Sequence, residues 1–382
     1  MEVRTRRARR EVPAVLLRRT PGRGRHRRHC RYQRQGKLDD LHQGGLRVHS
    51  YALFANFENP FGDTGQAFAE SVASVMHAET LGFEQAWITE HHFNEFSVSS
   101  SIFALLAHLA ARTSRIGLGA GAVLLPFHDP IRVAEDAATV DAISGGRLLL
   151  GVGRGGPFPD QFRHFGVSND ESRSRLFEAL DLLQQIFADI EVDFNGAHYR
   201  YRNLSVYPRL TRPTLPIWLA SSTPESVALA AERGYGLMGA SAAPSSKFRQ
   251  VLDDFAALNP VAAPPFVAAR YLLCAPDHAQ ARAEALPFIR DFGRNMRAAI
   301  RQIPAREELR PFGEAAPAFD EDALLAKAIV GDPAAGLEQC QALQEELGDY
   351  PVVLLLKPAS YAPEVNRRSL TLFAEKVRPH LS

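Results

Sequence analysis

Cysteine is scarce in this 382-residue chain: Cys30, Cys274 and Cys340 stand far apart, which gives neither a disulfide framework nor metal-site spacing and suits a reducing cytoplasm. No run of about 18 apolar residues occurs, nor a secretory apolar region with a cleavage site, so neither a membrane span nor export is expected. Net charge is also slight, +1 in total, but it is unevenly spread. Residues 1–48 carry 15 Lys and Arg against 4 acids, leaving −10 for residues 49–382. An acidic body gives no reason to expect nucleic acid as a partner. The basic runs Arg6-Arg7, Arg9-Arg10 and Arg23-Gly24-Arg25-His26-Arg27-Arg28 lack apolar periodicity, which predicts disorder. Residues 1–48 read as a non-native leader before a chain starting near Val48 or Tyr51; a polyanion-binding arm and an Arg-rich transit peptide are the alternatives.

The body has ample material for a large core, at 46% hydrophobic residues. From Tyr51 onward, short apolar runs alternate with longer amphipathic ones, the pattern of repeated strand-helix units around a parallel sheet. Strands are predicted at 51–56, 84–89, 116–122, 147–152, 216–220, 235–239, 267–273 and 352–356. Helices are predicted between them, among them 131–143, 224–233, 278–300 and 364–378. Eight units suit a TIM (β/α)8 barrel with insertions, occupying 49–382, better than an open doubly wound sheet. Asp193 to Pro208, with its Asn195-Gly196 turn, reads as an inserted hairpin. Arg301 to Leu325 reads as a lid or irregular excursion.

In such a barrel, chemistry gathers at the carboxyl ends of strands. Glu90-His91-His92 closes the second strand, and adjacent strand residues point to opposite faces, so the two imidazoles do not share a metal. No metal is expected. His91 is the first functional candidate, while His92 is either a pocket residue or a hydrogen-bonded structural histidine. Gly117 to Val123 offers little side-chain bulk, so either a flat ring lies against Ala120, Gly121 and Ala122 or the strands pack closely. Gly151-Val152-Gly153-Arg154-Gly155-Gly156 matches GxGxxG, yet Pro157-Phe158-Pro159 disfavours the helix that a dinucleotide fingerprint must open. An anion cradle built on Arg154 and Gly156 fits better. After the fifth strand, Ser222, Thr223 and Ser226 surround Pro224 at a helix start, where either an ordinary cap or a phosphate site can form.

These motifs, in this order and spacing, resemble the bacterial luciferase-like flavin-dependent monooxygenases, in particular the alkanal-oxidising subunits. The resemblance rests on Glu90 to Phe96, Gly121 to Pro126, His128 to Asp136, Gly145-Gly146-Arg147 and Gly153-Arg154-Gly155. It runs from Tyr51 to Met238 and more loosely beyond. It implies FMN bound at the strand C-terminal face, reduced by a separate reductase, and reacting with molecular oxygen to a C4a-peroxyflavin that oxygenates a small organic substrate. His91 matches the catalytic histidine. Arg154 and Arg173 match flavin-phosphate arginines, Ser222, Thr223 and Ser226 the helix-terminal phosphate site, and Gly121-Ala122 a non-prolyl cis peptide under the ring. Phe54, Phe57, Phe61, His92 and Phe93 are expected to line the substrate pocket, though core packing also explains Phe54. Gly153 stands where light-emitting subunits carry a reactive cysteine, and Ser222 where they carry a carboxylate, so light emission is not expected. An F420-dependent dehydrogenase and a non-catalytic luciferase β-subunit-like partner are the alternatives. A homodimer is the expected assembly.

Overall fold

Near-continuous apolar runs make strands buried on both faces, as a parallel barrel requires. The structure, a computed structural model, describes residues 50–60, 62–93, 97–156, 158–301 and 319–381. The basic leader, Phe61, Asn94 to Phe96 and most of the 301–325 excursion lie outside the described residues. The barrel strands are β1 (Ser50–Ala55), β2 (Gln85–Ile88), β3 (Gly117–Leu124), β4 (Leu148–Gly153), β7 (Ile217–Leu219), β8 (Gly236–Gly239), β9 (Phe266–Cys274) and β11 (Val352–Pro358). Parallel pairing runs β11-β1-β2-β3-β4-β7-β8 and closes through β8 on β9 and β9 on β11. All eight predicted strands are present.

Two elements differ from expectation. A ninth parallel strand, β10 (Ile329–Gly331), pairs with the last third of β9, beyond the point where β8 leaves it. Three residues are too few to show a period. The prolines after Gly156 do not exclude a helix: α4 (Pro159–Phe165) begins with Pro159 in its first turn, where the absent N–H is no loss. The predicted hairpin is β5 (Val192–Asn195) with β6 (Arg200–Leu204), antiparallel.

The covering helices are α1 (Thr64–Thr80), α2 (Ile102–Arg112), α3 (Pro130–Ser144), α5 (Ser172–Ala188), α6 (Pro224–Arg233), α7 (Ser245–Leu258), α8 (His278–Arg301), α10 (Pro333–Leu347) and α11 (Pro363–Leu372), with α9 (Glu321–Leu325) a single turn. Their ends follow local chemistry. Asp129 accepts from Ile131 N at 2.8 Å with Pro130 behind it, and Gly145 closes α3 at φ 70°. No helix among the described residues is long and apolar enough to cross a membrane.

Strand alternation divides the core. Ala52, Trp87, Leu149, Trp218, Val267, Ala269 and Leu355 fill the barrel, and the opposite faces pack the helices. The chain's two tryptophans meet edge to face at 5.3 Å between ring centroids. Their bulk explains glycines on facing strands: a Cβ on Gly119 would lie 2.2 Å from the Trp87 ring, and one on Gly236 2.1 Å from Trp218.

Candidate active site

Above this plug the barrel mouth has two unlike sectors. On β3, β4 and β7 it is nearly bare. A Cβ on Gly153 would come 3.4 Å from the Ala122 Cβ and 3.6 Å from that of Ala220, so these small residues adjoin. A Cβ on Gly121 would meet Met238, Phe54 and Trp87 at 3.3–3.4 Å. The register of β3 against β4 shifts between Ala120 and Val123, and the Gly121–Ala122 peptide there is cis, at the position the resemblance implied. Across β9, β11, β1 and β2 the mouth is instead crowded. The inward alternation carries Ala269 to Tyr271 and Leu355 to Lys357. Lys357 Nζ lies 3.4 Å from Glu58 Oε1, just past the end of β1.

His91 follows β2 at this rim. Its backbone N–H donates to Ser99 O at 3.4 Å, and its ring meets Phe158 edge to face at 5.7 Å. Burial, then the charge of Lys357, pulls its pKa down to about 4, so the imidazole is neutral at pH 7. A neutral imidazole can accept a proton or donate one from its N–H.

Glu90 and His92 turn the other way. Glu90 is 2% exposed; its Oε1 accepts from His92 Nε2 and His128 Nε2, each at 2.7 Å, and its Oε2 from Leu124 N at 3.1 Å. Burial alone would raise this carboxyl, but the bonds from His128 and His92 outweigh it and hold its pKa below the ordinary value. The His128 pKa is raised, the carboxylate overcoming desolvation. These three side chains have ligand atoms within 4.8 Å of one another. Donor atoms held roughly 2.0–2.1 Å from a tetrahedral zinc stand about 3.3 Å apart, so the 2.7 Å contacts are hydrogen bonds between the side chains themselves.

The rim beyond Gly153 is cationic. Among the described residues no carboxylate lies within ion-pair distance of Arg154, which is half-buried; desolvation, then the like charge of Arg173, lowers its pKa. Arg173 Nη1 pairs with the exposed Glu225 at 3.1 Å. Glu225 belongs to the first turn of α6, whose cap residue Thr223 donates to Ser226 Oγ at 3.2 Å. Gly155 adopts φ 117°, and a Cβ there would strike Phe127 at 2.7 Å; Gln161 Nε2 fixes its carbonyl at 2.9 Å. Two guanidiniums with one carboxylate between them, beside a helix start, form a donor set suited to a phosphate. The bare sector next to it suits a flat ring. The residues present therefore fit FMN.

The expected pocket residues do not all gather here. Phe54 does, below Gly121 and under Lys357 Nζ at 5.9 Å. Phe57 does not: it is 1% exposed and packs on Phe68 in the core between barrel and helices. His92 meets Phe165 edge to face and Phe93 packs tilted on it, beside Glu90, and Phe93 is 54% exposed. Ala120, whose side chain faces the helix layer, is core. Sequence reading missed His128, Phe158, Tyr271, Glu58 and Lys357. His128 alone carried a signal, lying in a quoted motif without an assigned role.

A family model described as luciferase-like monooxygenase matches residues 48–350. The uncharacterized protein y4wF of Sinorhizobium fredii is 30% identical over 54% of this chain and 60% of its own length, so the chain spans about three-fifths of that relative. Limonene 1,2-monooxygenase of Rhodococcus erythropolis is 25% identical over 88% of this chain and 87% of its own. The structure of the monooxygenase RslO1 from Streptomyces bottropensis is 29% identical, with a TM-score of 0.75 over 87% of this chain and all of that one. The fold alone is shared with the FMN-bound oxygenating constituent of 3,6-diketocamphane monooxygenase from Pseudomonas putida (19% identity, TM-score 0.69, 87% and 98% covered) and with an F420-dependent secondary alcohol dehydrogenase (16%, 0.66, 88% and 99%).

Proposed function

This chain belongs to the luciferase-like monooxygenase family, and from that premise we propose that it is an FMN-dependent monooxygenase that puts one oxygen atom into a small organic substrate. The observation that carries this reading is the uncompensated Arg154 beside a bare barrel sector. Arg154, Arg173 and the start of α6 would hold the phosphate, and Gly121, Ala122 and Gly153 would leave room for the ring. When bound, reduced FMN supplies the electrons that activate oxygen. His91, neutral at pH 7, moves a proton at the reacting centre, and Phe54 with Phe158 shields that centre from water. Carbonyl oxidation and hydroxylation are the reaction classes in view, and the alkene named in limonene monooxygenase adds epoxidation. Oxygen and a separate flavin reductase are the partners this reading calls for, with a homodimer as the assembly expected.

The test is anaerobic titration with reduced FMN, followed by mixing with oxygen while absorbance of a C4a-peroxyflavin is followed. Wild type should bind and form that species. His91→Ala should still bind reduced FMN but lose about 10²–10⁴-fold in substrate oxygenation, and Arg154→Ala should bind it at least about tenfold more weakly. If wild type does not bind reduced FMN, the reading fails, and F420 or a non-catalytic partner role takes its place. Oxygen uptake separates those two from a monooxygenase.

A further inference from the structure

We propose that Gln161 is a positioning residue for the flavin phosphate, one that sets the loop after β4 so that the Gly156 N–H joins Arg154 as a donor; this rests on the FMN reading just given. Gln161 lies in the short helix α4 and is 1% exposed. Its Nε2 donates to Gly155 O at 2.9 Å, while its Oε1 has no partner among the described residues. Its backbone N–H donates to Phe158 O at 3.1 Å. The turn that carries Gln161 thus also carries the ring set against His91.

A buried carboxamide that leaves its oxygen unsatisfied costs stability, and an apolar side chain would fill the same space without that loss. What the carboxamide does hold is one peptide plane. The Gly155–Gly156 bond is trans and planar, so the Gly156 N–H points opposite to the Gly155 carbonyl. With that carbonyl turned in to Gln161, the N–H is turned out, on an exposed residue, and it has no acceptor among the described residues. The flanking residues leave the plane free to turn either way, since Gly155 at φ 117° and Gly156 at φ 61° both lack a Cβ. Reversed, it would set the negative end of a carbonyl where an anion is to lie. Gln161 selects the other orientation. A free backbone N–H two residues from the half-buried Arg154 guanidinium is a donor pair suited to an anion.

The measurement is the affinity of the full chain for reduced FMN and for reduced riboflavin, which lacks the phosphate, by anaerobic calorimetric titration. Wild type should prefer FMN. Gln161→Met, of similar length and without a donor, should bind FMN about tenfold more weakly, the scale of one hydrogen bond to a charged group, and riboflavin within about twofold of wild type. Gln161→Glu has the same shape, but its ionised carboxylate cannot donate to the Gly155 carbonyl. It should lose at least as much, and it carries the test should the Met variant not fold. A preference for FMN left unchanged in both variants, or an equal loss of FMN and riboflavin, overturns the role of Gln161 alone. A wild type that does not prefer FMN overturns the phosphate reading and this inference with it.

Discussion

Replacing Glu90 by Gln tests the buried cluster behind the reacting rim. Oε1 takes two imidazole Nε2 atoms at 2.7 Å and Oε2 takes Leu124 N at 3.1 Å, all on a side chain without solvent access. A glutamine has one acceptor oxygen. If that oxygen faces the imidazoles, its NH2 confronts the Leu124 N–H; if it faces Leu124, both imidazoles must switch tautomer to accept. Either a partner is lost or a tautomer switch is imposed on two imidazoles, and the remaining bonds lose their charge. With hydrogen bonds to a charged group at about 1.5–3 kcal/mol, the loss should be about 2–4 kcal/mol where His128 is charged. The His128 pKa is raised on folding, so its contribution is complete below its unfolded value near 6.5 and fades as pH rises through the folded value. The Glu90 pKa is lowered, so its contribution holds above about 4.5 and is lost only as pH falls through the folded value. The cost of Glu90→Gln should therefore be greatest between about pH 4.5 and 6.5, and should fall as pH rises through the folded His128 value. Urea unfolding read by tryptophan fluorescence suits the measurement, because Trp87 and Trp218 both sit in the barrel plug. Equal cost at pH 5.5 and pH 9, or a cost below about 0.5 kcal/mol at both, would refute the charge-assisted cluster.

Two further predictions concern the scaffold. Gly119→Ala puts a methyl 2.2 Å from the buried Trp87 ring and should cost about 3 kcal/mol in urea unfolding, whereas Gly117→Ala on the same strand, with nearest neighbours at 3.4–3.5 Å, should stay within about 1 kcal/mol. Arg147 donates to Ser144 O, Thr113 Oγ1, Ile116 O, Ala110 O and Thr113 O at 2.7–3.2 Å. Arg147→Ala should cost about 2–4 kcal/mol, and Arg147→Lys should recover less than half, because a point charge cannot span five acceptors.

What was legible in the sequence had a local cause. Each barrel strand is a run buried on both faces, and several helix ends are a Pro, Asp or Gly doing backbone chemistry, as at Asp63, Asp129-Pro130, Gly145, Gly234 and Asp332-Pro333. The cationic rim was legible for the same reason, since Arg154 and Gly155 lie in one short segment and the 222–226 helix start in another. What escaped depends on residues far apart. Glu90 meets His128 across 38 positions, Lys357 meets Glu58 across nearly the whole barrel, and Gly119 is a glycine only because Trp87 occupies the space beside it. Phe57 was misplaced for a simpler reason. Phe54 continues the inward parity of Ala52, whereas Phe57 lies past the end of β1 at φ 50°, where strand parity no longer sets direction and hydrophobicity gives none. Gly145-Gly146-Arg147 belongs to the shared pattern without belonging to the site: its arginine clamps helix ends and a strand start at the other pole of the barrel.

The division of the mouth follows from the same parity. Inward positions on β3, β4 and β7 are Gly, Gly and Ala at the rim, so nothing rises from the floor there, and the cationic loop after β4 stands beside the opening. On β9, β11 and β1 the corresponding positions are Tyr271, Lys357 and the residues leading to Glu58, which fill the floor with rings and a compensated charge. Under the proposed reading, the flat ring would lie over the bare sector, where Gly121, Ala122 and Gly153 leave room for it. His91 follows β2, between the two sectors, and under the proposed reading a group that exchanges protons between flavin and substrate would stand there.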